Sequence, residues 1–226
     1  AREEAKKARC LTNLRTIGLA LNQYALEDSA EQPIPIHESM LQTCPYWEWR
    51  TVNWFAWGGR SGQTPFLTGP TGGIMLAADG PAARPQYDAR RRPLNRYMLA
   101  SLNLSDTRQL EWFRCPSDAG YPQHPDIDDS PPWNADRPCY DTLGNSYRAS
   151  LAMLSIFDDG GSSRGHFSSG PWGHRLSTLG HASRLVLAGE PTFFNMIGRD
   201  EHGSPPDPVL LTGWHKRWMI DNLLFC

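Results

Sequence analysis

Residues 161–165 (GSSRG) form the closest match in the chain to a catalytic motif, because they fit Gly-x-Ser-x-Gly with Ser163 at the centre. In hydrolases that use this motif, the serine occupies a sharp turn between a strand and a helix, with a histidine and an acid nearby. Here the run DDG precedes the motif and the run HFSSGPWG follows it. We therefore expect residues 160–170 to form a flexible loop, and we predict that Ser163 is not catalytic and that the chain is not an enzyme.

Oxygen ligands for Ca²⁺ could come from Asp126, Asp128 and Asp129. Their spacing lacks the register and the closing Glu of an EF-hand, so solvated loop carboxylates are the expected state and a calcium site is the alternative. The seven histidines are scattered, without the His-x-x-x-His or His-Glu-x-x-His spacing of helical metal sites. We predict histidines in loops or at the surface, and no cofactor apart from the calcium alternative.

Aromatic residues are concentrated in residues 46–59 (YWEWRTVNWFAWGG). Flat rings pack well against apolar surfaces, so Trp47, Trp49, Trp54 and Trp57 could form a platform that stacks on sugars. The other interpretation is that these rings anchor long loops onto the protein, because large aromatic side chains supply much of the burial in a loop-rich fold. The sequence favours anchoring, and an extracytoplasmic carbohydrate-binding module remains the alternative function.

The elements that position these residues must come from a chain rich in turn formers. The 226 residues include 20 Gly and 19 Pro, and the formal net charge of −2 argues against nucleic acid or an anionic membrane surface as a partner. Five cysteines occur without a Cys-x-x-Cys pair, which makes a zinc ribbon unexpected. Their wide spacing in a loop-rich chain favours disulfides in an oxidising compartment.

The first element is a helix predicted over residues 1–28. Its apolar residues follow a 4, 3, 4, 3 spacing, which places them on one helical face. We expect this face to pack against the rest of the protein. The residues that form it are Cys10, Leu14, Ile17, Leu21 and Tyr24.

Other residues of this helix lie away from the packed face. Leu19 and Leu26 project from nearly the opposite side, where either a loop of the same chain or a neighbouring subunit could cover them. The spacing alone favours the loop. The first turns are strongly charged, and Glu3 and Lys7 have the spacing of a favourable i,i+4 pair, so we predict an exposed start.

Short apolar segments follow after long loops, and the clearest strands come late. We expect an α+β fold: a long N-terminal amphipathic helix packed on a small, mainly antiparallel sheet, with long loops. The predicted segments are a short buried run at 72–80, a short helix within 92–104, and strands within 145–154, 183–190, 207–215 and 221–226.

The opening run AREEAKKARCLTNLRTIGLALNQYALED resembles the segment that follows the membrane helix in type IV pilin-like proteins. More specifically, it is similar to bacterial pseudopilin-like proteins with a prepilin-type N-terminal cleavage/methylation domain. Further runs occur in the order that this family shows, and His215 occupies roughly the place of the histidine before its last strand. These runs are RPLNRYM (92–98), FRCPSDAG (113–120), GNSYRAS (144–150), SRLVLAGE (183–190) and DNLLFC (221–226).

The resemblance implies a structural subunit of a type II secretion or type IV pilus-like filament. Residues 1–28 would be the C-terminal half of the spine helix, and residues 29–226 the globular head, in one domain with the helix. The implied location is the periplasm or the cell surface, with an inner-membrane anchor in a preceding span that this chain lacks. The implied partners are other pilin-like subunits through the helix, with Leu19 and Leu26 as candidate contacts, and a prepilin peptidase that acts on the precursor. Both ends of the chain are expected to be trimmed.

Disulfide pairs are a separate expectation. We expect Cys10 to pair with Cys115 as first choice and Cys44 with Cys139 as second, which leaves Cys226 over. The connectivity of five cysteines cannot be deduced from sequence alone, so other pairings stay open.

Overall fold

The computed structural model describes residues 2–37, 55–61, 66–68, 74–76, 88–99, 107–120, 138–150, 152–157, 163–169, 175–179, 186–191, 214–215 and 222–225. The described helices are α1 (Arg2–Glu27), α2 (Asn95–Met98) and α3 (Cys139–Thr142), with 3₁₀ segments at Ala89–Arg91, Thr107–Phe113 and Leu176–Thr178. The described strands are β1 (Phe66–Thr68), β2 (Ile74–Leu76), β3 (Arg148–Ala149), β4 (Ala152–Phe157), β5 (Ser163–Ser169), β6 (Val186–Gly189) and β7 (Leu223–Phe225).

The strands form antiparallel pairs, which together with α1 make this an α+β protein. β1 pairs with β2, β4 pairs with β5, and the order β3-β6-β7 makes a three-stranded sheet. In that sheet Gly189 of β6 lies opposite Arg148 on one side and Leu223 on the other. β6 is therefore the central strand, and its last residues are held from both sides.

The helix α1 packs one face against the head. Leu14, Ile17 and Leu21 are at most 2% exposed, because the predicted apolar spacing puts them on the same side of the helix. Tyr24 is partly buried, and its ring meets the edge of Tyr97 with 5.8 Å between centroids. The buried residues of α1 are Cys10, Asn13, Leu14, Ile17, Ala20, Leu21 and Ala25.

The helix also lies against the edge of the three-stranded sheet. A Cβ atom added to Gly18 would lie 2.9 Å from Cδ1 of Leu224 in β7, so glycine permits the close approach of helix and strand. After α1 the chain turns at Asp28, whose carboxylate accepts hydrogen bonds from the backbone N–H groups of Ala30 and Gln32 at 3.1 and 2.9 Å. This turn ends the helix before Pro33.

A buried polar network joins segments of the head that have little regular structure. The Arg92 guanidinium donates to the carbonyls of Phe55 at 3.1 Å, Gly58 at 2.8 Å and Leu143 at 2.8 Å. Burial lowers the pKa of Arg92 to about 9, so it remains a cation at neutral pH. Asn95 adds hydrogen bonds to the backbone N–H and carbonyl of Gly59. These side-chain hydrogen bonds therefore satisfy backbone groups that lie outside the described strands, and they hold those segments in place.

Gly144 occupies a position in this network that requires glycine. Its φ is +85°, and a Cβ atom there would lie 1.9 Å from the carbonyl oxygen of Arg60. The backbone N–H of Arg60 in turn donates to the Gly144 carbonyl at 2.9 Å. Two loop segments can therefore approach each other here only because residue 144 lacks a side chain.

Several expected elements differ from the structure. The loop predicted for residues 160–170 is wrong, because Ser163–Ser169 forms β5 and pairs with β4. The strand predicted within 145–154 is divided between two sheets. β3 pairs with β6, and the backbone N–H of Ser150 donates to the carbonyl of Leu187, whereas the next strand, β4, pairs with β5. At the end of the predicted strand 207–215, Trp214 and His215 form a turn. The helix predicted within 92–104 is ordered as helix only at Asn95–Met98, and residues 100–104 lie outside the described residues.

Among the helices that the structure describes, none combines the length and the apolar character needed to cross a bilayer.

Candidate functional site

The run Cys115-Pro116-Ser117-Asp118 attaches α1 to the head. Cys115 forms a disulfide with Cys10, with 5.2 Å between the Cα atoms. The amide of Asn13 donates to the Arg114 carbonyl at 2.7 Å, and the Ser117 hydroxyl donates to the Glu3 carboxylate. Residues 3, 10 and 13 of the helix are therefore all attached to the same short segment.

Asp118 in this run holds the start of α3. Its carboxylate accepts hydrogen bonds from the backbone N–H groups of Cys139 and Tyr140, both at 2.9 Å. It also accepts from the N–H of Gly120 at 3.0 Å and the hydroxyl of Ser146 at 2.6 Å. Burial raises the pKa of Asp118, and these hydrogen bonds oppose that shift. The carboxylate therefore has a structural role between two segments of the head.

Next to the disulfide, two side chains from the sheet region complete a buried group that we call the Cys–Glu–His cluster (Cys10, Cys115, Glu190 and His215). Glu190 directly follows β6 and is 0% exposed, and His215 lies in a turn and is 3% exposed. Glu190 Oε1 and His215 Nε2 each lie 3.8 Å from Cys115 Sγ and 2.9 Å from each other. One ligand atom from each member lies within 4.8 Å of those of the others.

A second set of side chains orients the cluster. The amide nitrogen of Asn222 lies 2.7 Å from Glu190 Oε1 and 2.8 Å from His215 Nε2. On the other side of the imidazole ring, His215 Nδ1 lies 3.2 Å from Glu3 Oε1. Both ring nitrogens of His215 therefore have defined partners, which fixes the plane of the ring.

Charge within the cluster is only partly compensated by hydrogen bonds. The hydrogen bond with Glu190 raises the pKa of His215 although burial opposes the shift. The hydrogen bond from Ser117 lowers the pKa of Glu3 to about 2. Among the described residues, Glu190 Oε2 has no hydrogen-bond partner although it is buried. A buried carboxylate oxygen without a donor is costly, so this atom is a candidate ligand.

The chemistry open to the cluster follows from its donor types and its burial. Thiolates, imidazoles and carboxylates coordinate transition metals, and thiolate with histidine is typical of zinc, so the two sulfurs would be ligands only after reduction of the Cys10–Cys115 disulfide. The four side chains are at most 3% exposed, so a substrate could reach them only if the surrounding segments moved. The arrangement therefore fits a structural or metal-binding role better than turnover of a substrate.

A different surface lies on the far side of α1. Leu11, Leu19 and Leu26 are 48%, 67% and 84% exposed, and we call them the leucine face. The exposure of Leu19 and Leu26 does not fit burial under a loop of the same chain. A pocket of about 230 Å³ adjoins Leu19 and is also lined by Tyr97 and Trp112.

Of the tryptophans predicted to form a platform, Trp57 lies within the described residues. Trp57 is 1% exposed and packs edge-on against Phe113 with 5.8 Å between centroids, which agrees with the favoured interpretation of an anchoring ring and rules out the sugar-stacking alternative for this residue. Its size makes it a core residue, since burying an indole removes a large apolar area from water. The remaining members of the predicted platform and of the calcium alternative lie outside the described residues: Trp47, Trp49, Trp54, Asp126, Asp128 and Asp129.

The cysteines are partly placed. The structure joins Cys10 to Cys115, but it does not form the second expected pair, because Cys139 keeps a free, buried thiol. Burial raises the pKa of that thiol well above its usual value, and the nearby Asp118 adds to the shift. Cys44 and Cys226 lie outside the described residues.

Several residues of the cluster were not found from sequence. His215 lies in a turn, which fits the prediction of histidines in loops or at the surface. Its burial was not predicted, and Glu190 and Glu3 provide the partners that allow it. Glu3 forms an ion pair with Lys6 at 3.3 Å instead of the expected pair with Lys7, and its carboxylate also reaches Ser117. One signal was present, since Glu190 follows a run of apolar residues that predicts a buried strand.

The serine of the Gly-x-Ser-x-Gly match begins a strand. Ser163 is the first residue of β5, in a hairpin with β4, so the chain does not pass from a strand through a sharp turn into a helix at this point. The backbone therefore lacks the arrangement that a nucleophilic serine of this type requires.

Comparison of the chain with protein-family models, with curated proteins and with solved structures found no match. A functional assignment therefore depends on the residues and the geometry described above.

Proposed function

We propose that this chain is the head, with the adjoining half of the spine helix, of a pseudopilin-like subunit that assembles into a type II secretion or type IV pilus-like filament. In this proposal the protein is structural and lies in the periplasm or at the cell surface. A hydrophobic span that precedes α1 in the full subunit anchors it to the inner membrane before assembly, after a prepilin peptidase has cleaved the precursor.

The observation that carries the proposal is the division of α1 into two apolar faces. One face, with Leu14 and Ile17, is buried against the head, and Leu19 and Leu26 lie about 180° around the helix at roughly 100° per residue. A helix that serves one compact domain needs a single apolar stripe. A second, exposed apolar face is expected where the same helix packs against a neighbouring helix in an assembly.

The attachment of α1 to the head also supports the proposal. A spine helix can hold its head in place within a filament only if the helix and the head are firmly joined. The disulfide from Cys10, the hydrogen bond from Asn13 and the hydrogen bond to Glu3 supply that connection. Leu224 against Gly18 adds a packed contact between the helix and the sheet.

The test expresses the protein from its gene, with whatever coding sequence precedes Ala1, in a bacterium that has a prepilin peptidase. We expect mass spectrometry to show cleavage at a prepilin-type junction ahead of an apolar span, and sheared surface filaments to contain the subunit. In the double variant Leu19→Asp/Leu26→Asp we expect normal cleavage and folding but at least a tenfold smaller amount of the subunit in the filament fraction.

The control is Thr178→Asp, which adds a charge at an exposed position of the Leu176–Thr178 segment, outside α1 and its leucine face. This variant should assemble like the parent protein. The proposal would be contradicted if the precursor were not cleaved by the peptidase, or if the leucine variant assembled as well as the control.

A further inference from the structure

The Cys–Glu–His cluster contains a complete set of zinc ligands. Tetrahedral protein sites for Zn²⁺ are formed by thiolates, imidazoles and carboxylates, and Cys10, Cys115, His215 and Glu190 supply all three types. Two sulfur ligands disfavour Ca²⁺ and Mg²⁺, which prefer oxygen. The donor set therefore selects a borderline metal ion such as Zn²⁺.

The distances are close to those that a bound ion requires. With Zn–S bonds of about 2.3 Å and Zn–N or Zn–O bonds of about 2.0–2.1 Å, a tetrahedral site separates sulfur from nitrogen or oxygen by about 3.5 Å, and nitrogen from oxygen by about 3.4 Å. Here Cys115 Sγ lies 3.8 Å from both His215 Nε2 and Glu190 Oε1, which are 2.9 Å apart. Shifts of roughly 0.5 Å would therefore place these three ligands in tetrahedral geometry.

Two further observations point to the same use. Histidines that bind metals usually give their other ring N–H to a carboxylate, and His215 Nδ1 lies 3.2 Å from Glu3 Oε1, which leaves Nε2 directed at the cluster. Glu190 presents one oxygen, Oε2, that is buried and has no hydrogen-bond partner among the described residues, while Oε1 accepts from Asn222. A cation bound at Oε1, which lies near Cys115 and His215, would balance the charge of this incompletely hydrogen-bonded carboxylate.

We propose that reduction of the Cys10–Cys115 disulfide converts the cluster into a binding site for one Zn²⁺, held by Cys10, Cys115, Glu190 and His215. In the disulfide form the sulfurs are bonded to each other and cannot act as thiolates. The site therefore has two alternative states, a disulfide and a zinc complex, and each of them joins α1 to the head.

Conversion of the disulfide into the zinc complex requires a two-electron reductant, and a tertiary phosphine can supply the electrons. The phosphine supplies two electrons to the S–S bond, which breaks, and water supplies the oxygen of the phosphine oxide and the two protons of the thiols. Zn²⁺ then forms two Zn–S bonds and displaces those two protons. A newly made chain starts in the same dithiol state, before any disulfide has formed.

The test uses the chain with Cys44→Ser, Cys139→Ala and Cys226→Ser, so that the thiols of Cys10 and Cys115 are the only ones present, with the parent chain in parallel. The protein is reduced with a phosphine under anaerobic conditions and titrated with Co²⁺, then with Zn²⁺. We expect a sulfur-to-cobalt charge-transfer band and the strong visible bands of tetrahedral Co²⁺, saturating at one equivalent and abolished by one equivalent of Zn²⁺. The same chain with its disulfide intact should show neither band.

Three variants assign the ligands. We expect Glu3→Gln to weaken binding about 10–100-fold, as loss of a partner that orients a ligand does, and His215→Gln and Glu190→Gln to weaken it more than that. Asp141→Asn removes a half-buried carboxylate outside the cluster and should leave the Co²⁺ affinity unchanged. Circular dichroism with and without Zn²⁺ shows whether each chain is folded, because binding at such a site is coupled to folding.

Binding of Co²⁺ to the reduced chain without the charge-transfer band would overturn the proposal. Equal binding by the disulfide form, or by His215→Gln and Glu190→Gln, would overturn it as well. Reduction could unfold the chain. In that case, recovery of the folded spectrum with one equivalent of Zn²⁺ supports the site if the recovery requires His215, and the absence of recovery overturns it.

Discussion

Arg92 is a buried and Asp118 a partly buried charged side chain, and each bonds backbone groups from segments that are distant in sequence. A loop-rich protein has many backbone groups that no helix or sheet satisfies, and leaving them unpaired in the interior is costly. A charged side chain with several donors or acceptors can satisfy a number of them at once. In this molecule such side chains satisfy backbone groups that helices and sheets satisfy in other folds.

Replacement of Asp118 by Asn should lower the free energy of unfolding by about 1–3 kcal/mol, because an amide NH₂ would face backbone N–H donors that now meet a carboxylate oxygen. Chemical denaturation followed by circular dichroism measures the change. Asp141→Asn, within the helix α3 whose start Asp118 holds, is the matched control. Its ion pair with Arg60 at 3.5 Å is partly exposed, so its loss should cost under about 1 kcal/mol. Equal effects of the two variants would contradict the role given to Asp118.

Replacement of Arg92 by Lys should cost at least about 2 kcal/mol, although the charge is kept. The two terminal nitrogens of the guanidinium reach three carbonyls in different directions, which a single ammonium cannot do. Arg90→Lys, at an exposed position of the same run, should change stability by less than about 0.5 kcal/mol. Thermal and denaturant unfolding of both variants would show the difference. If Arg92→Lys left the free energy of unfolding unchanged, the positive charge alone would account for the role of Arg92.

At the scale of elements, the predictable parts are those with a local pattern. The helix α1 could be predicted because its apolar spacing repeats over most of its 26 residues. β5 could not, because its sequence SRGHFSS has no apolar alternation and its hydrogen bonds come from pairing with β4. The cluster was hidden for the same reason, since Glu190 and His215 meet the two cysteines only through the tertiary path of the chain.

The two faces of α1 should respond differently to substitution. Ile17→Ala should lower the free energy of unfolding by about 2–5 kcal/mol, because it leaves a cavity under the helix at a position with 0% exposure. Leu19→Gln and Leu26→Gln should each change it by less than about 0.5 kcal/mol, because both side chains are exposed in the single chain. Denaturant midpoints of the three variants test this. A large loss of stability in Leu26→Gln would show that this residue packs within its own chain.

At the scale of the whole molecule, α1 and the head form one unit because their connections close a very long loop. The disulfide spans 105 residues of sequence, and cross-linking a loop of that size restricts the unfolded chain strongly. The buried face of α1 adds to this, as part of one core that also includes Trp57, Phe113 and Tyr147. Separation of the helix from the head should therefore require unfolding of the head.

Loss of the disulfide should lower the free energy of unfolding of the whole molecule. The double variant Cys10→Ser/Cys115→Ser, unfolded by denaturant in the absence of metal, should lose about 2–5 kcal/mol relative to the oxidised parent. Addition of a reductant should destabilise the parent by a similar amount and leave the double variant unchanged. A reductant effect on the double variant would show that another disulfide contributes to stability.

The contact between Glu3 and His215 joins positions that are 212 residues apart. During synthesis or export, the Glu3 carboxylate therefore cannot meet the imidazole until the segment that carries His215 is available. Contacts of such long range slow folding, because chain entropy is lost before the contact is gained. We therefore expect the contact between Glu3 and His215 to form late in folding, and a partner that binds the start of α1 before then would meet a surface that still lacks this contact.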